Sequence, residues 1–483
     1  MANPASAKPL AGWFDRGSLP DWPGLPVSPF GLALLCALLT GSLIAFGGPV
    51  ALLLCVSLLV SLLILLDFRV GVVLLMLLFP LSASPSFPHG IGGITGLNPF
   101  NLLLFGTLVA CLLSGRGLLR LIPGSLAGLY LLPIVLGGLL GMGHVGEIAS
   151  ELQDANLLSF DTPSGYLRDL LIKPLLMVVI ALLIGAAAGA SQRPVRWLLA
   201  MLVVSWVISL LTVALVIVSG TSLGVLAGSG SREFFQPLGI HANDLGRLLT
   251  FAYALLLFTL GETRDGRLRF WLLASLALVV VALTLTFSRG AFFGFAVVNL
   301  LFLISRRHLA GVLIAFAMLA VLIALLPGAV FDRLTTGWGG GVNAVSAGRV
   351  EHIWLPLLDE FWRHPLIGNG LGSITWSDAM QRGQILLVTH PHNAYLQAAL
   401  DLGLIGLLLL LSFFTVTWRQ FRQLSRQADL DPLWRGFYAG AAAGLISLLI
   451  AGWVGGSLLP SIEQTFLWFA LGLMYAQQQN REA

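Results

Sequence analysis

The chain has 483 residues, of which 57% are hydrophobic and only 10% charged, with a formal net charge of +4. Apolar content this high exceeds what a water-soluble domain tolerates and excludes both a soluble globular fold and a disordered one. The three cysteines, Cys36, Cys55 and Cys111, lie inside apolar runs without CxxC spacing, which excludes a disulfide framework and a cysteine-based zinc site.

In chain order, residues 1–29 are polar and lack the basic head, short apolar core and small-residue site of a cleavable signal. They read as a cytoplasmic N-terminal segment, with the first apolar run serving as an uncleaved insertion signal. A membrane span needs about 20 apolar residues, fewer where packing allows. Runs meeting this are 30–46, 48–66, 70–83, 98–114, 124–142, 168–189, 196–219, 243–261, 270–287, 290–304, 309–327, 394–417, 434–453 and 460–477. The run 70–83 is short and contains Pro80. The expected fold is therefore an all-α polytopic transmembrane bundle of about 12–14 spans. Its expected parts are helices over 30–327, one long loop over 328–393, further helices over 394–477 and a cytoplasmic tail over 478–483.

Cytoplasmic flanks collect Lys and Arg. With the N-terminus inside, alternate connections carry 17 of the 26 basic residues, among them Arg264, Arg267 and Arg269, then Arg419, Arg422, Arg426 and Arg435. The opposite side holds the acidic loop with Glu147, Glu151, Asp154 and Asp161, the Gly/Ser-rich loop 219–240 and the long loop 328–393. That loop is expected to be non-cytoplasmic. Structured loops between apolar spans are where function concentrates.

The other nine basic residues, Arg168, Lys173, Arg232, Arg247, Arg289, Arg333, Arg349, Arg363 and Arg382, fall at or near the outer face. Arginine at membrane depth is expensive and survives where it pairs or binds an anion. Arg289, in Phe287-Ser288-Arg289-Gly290-Ala291, fits either an anion site or a snorkelling residue at a hairpin turn. Arg349 heads a stretch with Val350, Ile353, Trp354, Leu357, Leu358 and Phe361 at helical spacing, an amphipathic helix that Pro356 should kink or restart. It can hold a phosphate at the helix start or pair with Glu351 or Asp332. Arg247 lies three residues after Asp244, close enough to pair on one helix face, and Asn243 has the chemistry of a helix cap.

His392 is the candidate base, because imidazole both accepts and releases a proton near neutral pH. Asn393 after it is a plausible cap for an apolar helix in which Asp401 sits about two turns deep. A metal reading of His390-x-His392 needs further ligands that the sequence does not place, and both His390 and His392 also fit ordinary interfacial residues.

His392-Asn393, nine residues, then Gly403-Leu404-Ile405-Gly406 resembles the signature of bacterial O-antigen ligases. Arg349 leading Trp354, the run His364-Pro365-Leu366-Ile367-Gly368-Asn369-Gly370-Leu371-Gly372 and Ser288-Arg289-Gly290 resemble the same superfamily, which also contains O-antigen polymerases and protein O-oligosaccharyltransferases. Asp401 stands where the superfamily commonly has Glu, and Leu407 where many ligases have Thr; the second departure moves weight from ligase towards polymerase.

The resemblance implies a metal-independent, cofactor-free integral-membrane glycosyltransferase of the bacterial inner membrane, with its active site facing the periplasm. It implies a glycan donor linked to undecaprenyl diphosphate and, as acceptor, lipid A-core for a ligase or a second lipid-linked repeat for a polymerase. It also implies His392 as base, with Arg289 and Arg349, and with them Arg247, His390 and Asn393, on the donor side. Membrane lipids are the other expected partners, and nucleic acid is not one. A lipid-linked glycan flippase or anion transporter would also place arginines between helices, but it needs them spread through the membrane depth, where this chain is nearly charge-free.

Overall fold

The computed structural model describes residues 56–482 apart from 88–89, 92–93, 96–97, 116–117, 228–233, 307–327, 329–334, 336 and 338. The chain divides into two units, 1–63 and 64–483. Of the first, residues 56–63 are described and belong to the apolar helix Val56–Leu66. The predicted spans 30–46 and 309–327 lie outside the described residues.

Regular structure in the second unit is helical, apart from a two-residue antiparallel ladder pairing Gly90–Ile91 with Ile94–Thr95. The principal helices are α1 (Phe68–Leu78), α2 (Pro99–Leu113), α3 (Leu132–Met142), α4 (Lys173–Gly189), α5 (Arg196–Ser219), α6 (Ala242–Glu262), α7 (Gly266–Leu285), α8 (Arg289–Arg306), α9 (Leu355–Arg363), α10 (Ala394–Ser425), α11 (Pro432–Ala451) and α12 (Thr465–Glu482). Among the described residues, six stretches are long and apolar enough to cross a bilayer: Pro163–Gly189, α5, α6, α7, α10 and Pro432–Val454. Shorter apolar helices cover Phe68–Leu81, Pro99–Leu113, Leu126–Met142 and Arg289–Ser305. The protein is an all-α, multi-pass membrane protein.

Polar residues at the ends of apolar runs start the helices. Asp67, Asn98, Asp265 and Asp431 each accept a hydrogen bond from a backbone N–H of the first turn, at 2.8–3.0 Å. Asp431 belongs to the single Asp-x-Asp of the chain, so one of that pair serves as a cap. For α6 the cap is His241, whose Nδ1 accepts from the Asn243 N–H (3.2 Å), and not Asn243 as its chemistry suggested.

The centre of the unit is α12, buried on every side: no side chain from Phe466 to Ala476 is more than 3% exposed. It packs on α4, while α6 packs on α11 and both touch α12. Lipid tails are as apolar as leucine, so helices in a bilayer associate through close packing more than through apolar burial. On α11 the small residues Gly436, Gly440 and Gly444 recur every four positions and face α6. A methyl group on Gly440 would lie 2.5 Å from the carbonyl oxygen of Ala254, and one on Gly436 2.7 Å from that of Phe258. Backbone approaches backbone there, and α6 is brought close enough to carry its first turn into the site described below.

Two helices differ from the expected spans. The run 394–417 extends to Ser425 and is broken at Gly403, where φ is +66° and ψ −174°. The last span begins not at 460 but at Thr465, after a 3-10 turn Ile462–Gln464 that holds a buried carboxylate, Glu463.

Gly440→Leu cannot be accommodated without moving α11 from α6. It should cost about 1–3 kcal/mol, as overpacking does, and lower the melting midpoint of detergent-purified protein, whereas the same change at lipid-side Gly128, with open space around it, should leave the midpoint nearly unchanged.

Candidate active site

The loop before α10 is built from short pieces. Val350–Trp354 forms a wide π-type turn that passes into α9, with Pro356 in the first turn of α9. Proline has no N–H to give the carbonyl four residues back. That carbonyl, His352 O, instead accepts the Leu386 N–H (3.2 Å), so the proline's missing donor ties the helix to the strand of loop leading to His390. Trp354, two residues before Pro356, donates its indole N–H to the Pro391 carbonyl (2.8 Å). The backbone between His390 and His392 is thereby held.

The segment His364–Gly372 then inserts into the break in α10. An unbroken helix would pair the Leu404 and Ile405 amides with the Leu400 and Asp401 carbonyls. Here the Leu404 and Ile405 N–H groups donate to Pro365 O (2.8 Å) and Leu366 O (3.1 Å), and the Leu400 and Asp401 carbonyls accept Asn369 N–H (2.9 Å) and Gly370 N–H (3.0 Å). The loop replaces both lost helix bonds, one for one. Gly403 and Gly368 (φ +69°) make this possible: a Cβ on Gly403 would lie 2.2 Å from the Leu366 carbonyl group, and one on Gly368 2.5 Å from Asp401 backbone carbon. Asp401 is 2% exposed, and its Oδ1 accepts both the N–H (3.0 Å) and the hydroxyl (2.8 Å) of Ser373.

Above this junction opens a cavity of about 480 Å³. Its polar wall comes from four places in the sequence: His241, Asn243, Asp244 and Arg247 at the start of α6; Arg349; His390 and His392 with Gln397 and Asp401 on α10; and the turn from Gly455 to Glu463 between α11 and α12. Asn393 does cap α10, accepting from the Tyr395 (3.0 Å) and Leu396 (3.1 Å) amides. His392, next to it, has φ +54°, a left-handed backbone uncommon for any residue but glycine. The His390 and His392 rings lie 4.2 Å apart, centroid to centroid.

The guanidinium groups are held differently. Arg247, 8% exposed, pairs with Asp244 through Nη2 (2.5 Å), the i+3 pair foreseen from the sequence, and with Glu463 through Nε. Glu463 in turn accepts the Ser457 N–H (2.9 Å). Arg349 donates Nη1 to the Val454 carbonyl (2.9 Å), a neutral acceptor. Glu351, one of its two foreseen partners, accepts the Asn343 side-chain amide (2.7 Å), and Asp332, the other, lies outside the described residues. Arg289 does not line the cavity. It is half-buried at the start of α8, one residue after Ser288, whose hydroxyl donates to Asn243 Oδ1 (2.9 Å) on the cavity wall.

Of the site residues read from the sequence, the structure thus gathers Arg247, Arg349, His390 and His392 round one space, puts Asn393 in the helix cap beside it and leaves Arg289 off the wall. Glu463 was missed, although a lone carboxylate inside an apolar run is itself a signal. Among the described residues no group of three or more His, Cys, Asp or Glu side chains could hold a metal ion.

His390 has protein packed round one side of its ring while the rest stays open to solvent. This loss of hydration, then the positive charges of Arg349, Arg247 and His241, hold its pKa below the ordinary histidine value. A histidine that binds its proton less readily folded than unfolded contributes stability that is complete above the unfolded pKa of about 6.5 and is lost as pH falls through it. The melting midpoint should fall below that pH, by a small amount because the ring is partly solvated. His390→Asn should reduce the dependence, and an NMR titration should place the His390 pKa below that of a free histidine.

No curated protein matches the chain. The O-antigen ligase family model matches residues 273–411, which take in most of α7, all of α8, the loop carrying Arg349, His390 and His392, and the first half of α10 with its break. Members of this family are membrane glycosyltransferase-like enzymes of ligase or polymerase type. Residues 273–411 thus form an O-antigen ligase-type segment on the loop side of the polar cavity of an all-α membrane bundle, and this match supports the O-antigen ligase/polymerase superfamily for the chain.

Proposed function

We propose that the protein is an O-antigen ligase-type inverting glycosyltransferase that moves a glycan from undecaprenyl diphosphate to lipid A-core at the periplasmic face of the bacterial inner membrane. The observation that carries this reading is the presence of His392, held by the Pro391 and Asn393 contacts, in the same cavity wall as Arg349. His392 takes the proton of the acceptor hydroxyl as that oxygen attacks the anomeric carbon. The bond from the anomeric carbon to the diphosphate oxygen breaks with inversion, and undecaprenyl diphosphate departs. Arg349 from the wall, and Arg289 from behind it beside Ser288, stabilise the charge that develops on the leaving group, a role in which charge-assisted, bidentate contacts are strong. Arg247 is already matched by two carboxylates, so it shapes the wall and adds little net charge. No metal ion is needed in this scheme, since guanidinium groups take the part of the charge clamp. The outward orientation rests on the distribution of arginines.

The polymerase, using a second lipid-linked repeat as acceptor, is the other reading, and Leu407 in place of the threonine of many ligases favours it. Purified protein supplied with donor and lipid A-core, or with donor alone, decides between them. Glycosylated core identifies the ligase, lengthened lipid-linked glycan the polymerase, and neither product removes both.

His392→Ala should lower transfer by about 10²–10⁴-fold, the usual contribution of a general base, while donor binding is nearly unchanged because a base acts mainly in the transition state. Arg289→Lys should lose more than its retained charge suggests, because lysine lacks the guanidinium fork. His390→Ala should be mild, and transfer should persist in EDTA. Chelator-sensitive transfer, or near-normal turnover by His392→Ala, would overturn the base-and-arginine mechanism.

A further inference from the structure

A second cavity, of about 300 Å³, lies at the other end of the bundle. The polar cavity meets α6 at Asp244 and Arg247, whereas this one meets it from Ala252 to Thr259, five to twelve residues past Arg247 and so roughly 8–18 Å further along the helix. Its walls are apolar: Leu198 and Leu202 of α5, Leu256 of α6, Trp271 of α7 and Phe437 of α11. It opens sideways between α5 and α7, where Leu199 is 37% and Trp271 46% exposed on the flank that faces lipid. The bond from Trp206 Nε1 to Ser275 Oγ (2.6 Å) closes α5 onto α7 deeper in the membrane, so the opening is a slot with a floor.

At the rim the chemistry changes sharply. Arg267, in the first turn of α7, lines the cavity, and Arg264 on the connection before α7 and Arg269 in that same first turn flank it; all three are exposed, and no carboxylate among the described residues pairs with them. Asp265, the one acid at the rim, is engaged as the cap of α7 through the Leu268 N–H (3.0 Å). An apolar slot open to the bilayer, with unmatched guanidinium groups at the level of the headgroups, is complementary to one kind of molecule: an apolar chain that ends in an anion.

We propose that this cavity binds an anionic phospholipid of the leaflet at the arginine-rich end, with one acyl chain in the slot between α5 and α7 and the phosphate at Arg267. The site would brace α6 from the end remote from the polar cavity. It is independent of the transfer reaction and does not require it.

Native mass spectrometry of the full chain in detergent tests this, with phosphatidylglycerol and phosphatidylcholine of identical acyl chains as probes. The wild-type protein should retain phosphatidylglycerol in preference to phosphatidylcholine. Arg267→Ala should weaken phosphatidylglycerol retention about fivefold, the effect of one basic group near an anionic headgroup, and leave phosphatidylcholine unaffected. Leu256→Trp, which fills the slot, and Leu199→Trp, which blocks its mouth without entering the core, should both abolish the preference. Equal retention of the two lipids by the wild type would overturn the proposal, as would an undiminished preference in Leu199→Trp. Displacement of phosphatidylglycerol by undecaprenyl phosphate at equal concentration would also overturn it, assigning the slot to a polyprenyl chain.

Discussion

The structure depends on four backbone hydrogen bonds between the loop His364–Gly372 and the broken helix α10. Inside a bilayer no water is at hand to satisfy a freed amide or carbonyl, and each one left unpaired costs several kcal/mol. A helix can break there only if another segment supplies the lost partners in kind. The loop does so at Leu400, Asp401, Leu404 and Ile405, so the break and the insertion stabilise each other, and neither element could keep its conformation alone. Asp401 and Ser373 extend the same junction through a side chain. The result is a rigid floor beneath the cavity, which gives the loop residues above it the fixed positions that a reacting centre requires.

Charge in the cavity is arranged on the same principle. Arg247 enters with its compensation built in, one carboxylate from its own helix and one from the turn before α12. A buried pair of this kind adds little to stability over apolar packing, yet removal of one member leaves an uncompensated charge and is expensive. The triad therefore pins the start of α6 to the turn before α12, and through the Ser457 N–H it holds the stretch Gly455–Ser457 at the site. Arg349 is held by a neutral carbonyl of that same turn. The wall thus holds one guanidinium between carboxylates and another against a main-chain carbonyl.

Much of this was legible in the sequence because hydrophobic length and arginine placement report directly on the bilayer. The helices of the described region follow the apolar runs closely, and the Asn393 cap, the Asp244–Arg247 pair and the restart of the amphipathic helix at Pro356 all follow from local chemistry. The break at Gly403 was not legible. Leu402-Gly403-Leu404 has the composition of an ordinary span, in which glycine is common, and what opens the helix there is a loop more than thirty residues earlier. The sequence groups Arg289 with the other candidate site residues by its position at a boundary; the bond from its neighbour Ser288 to Asn243 on the cavity wall joins α8 to α6 across 45 residues and is not visible locally. Glu463 escaped notice because its partner, Arg247, is 216 residues away.

The backbone of His392 is the last link. A left-handed conformation costs a non-glycine residue about 1–3 kcal/mol and persists only where its surroundings over-determine it. Here they do: Pro391 upstream is bound through its carbonyl to Trp354, and Asn393 downstream is committed to two amides of α10. Two fixed neighbours leave His392 one way to connect them, and that way points its ring to the cavity it lines. The direction in which its Cα–Cβ bond leaves the backbone is therefore set by the main chain. The strained backbone at His392 is sustained by the Trp354 anchor on one side and the α10 cap on the other.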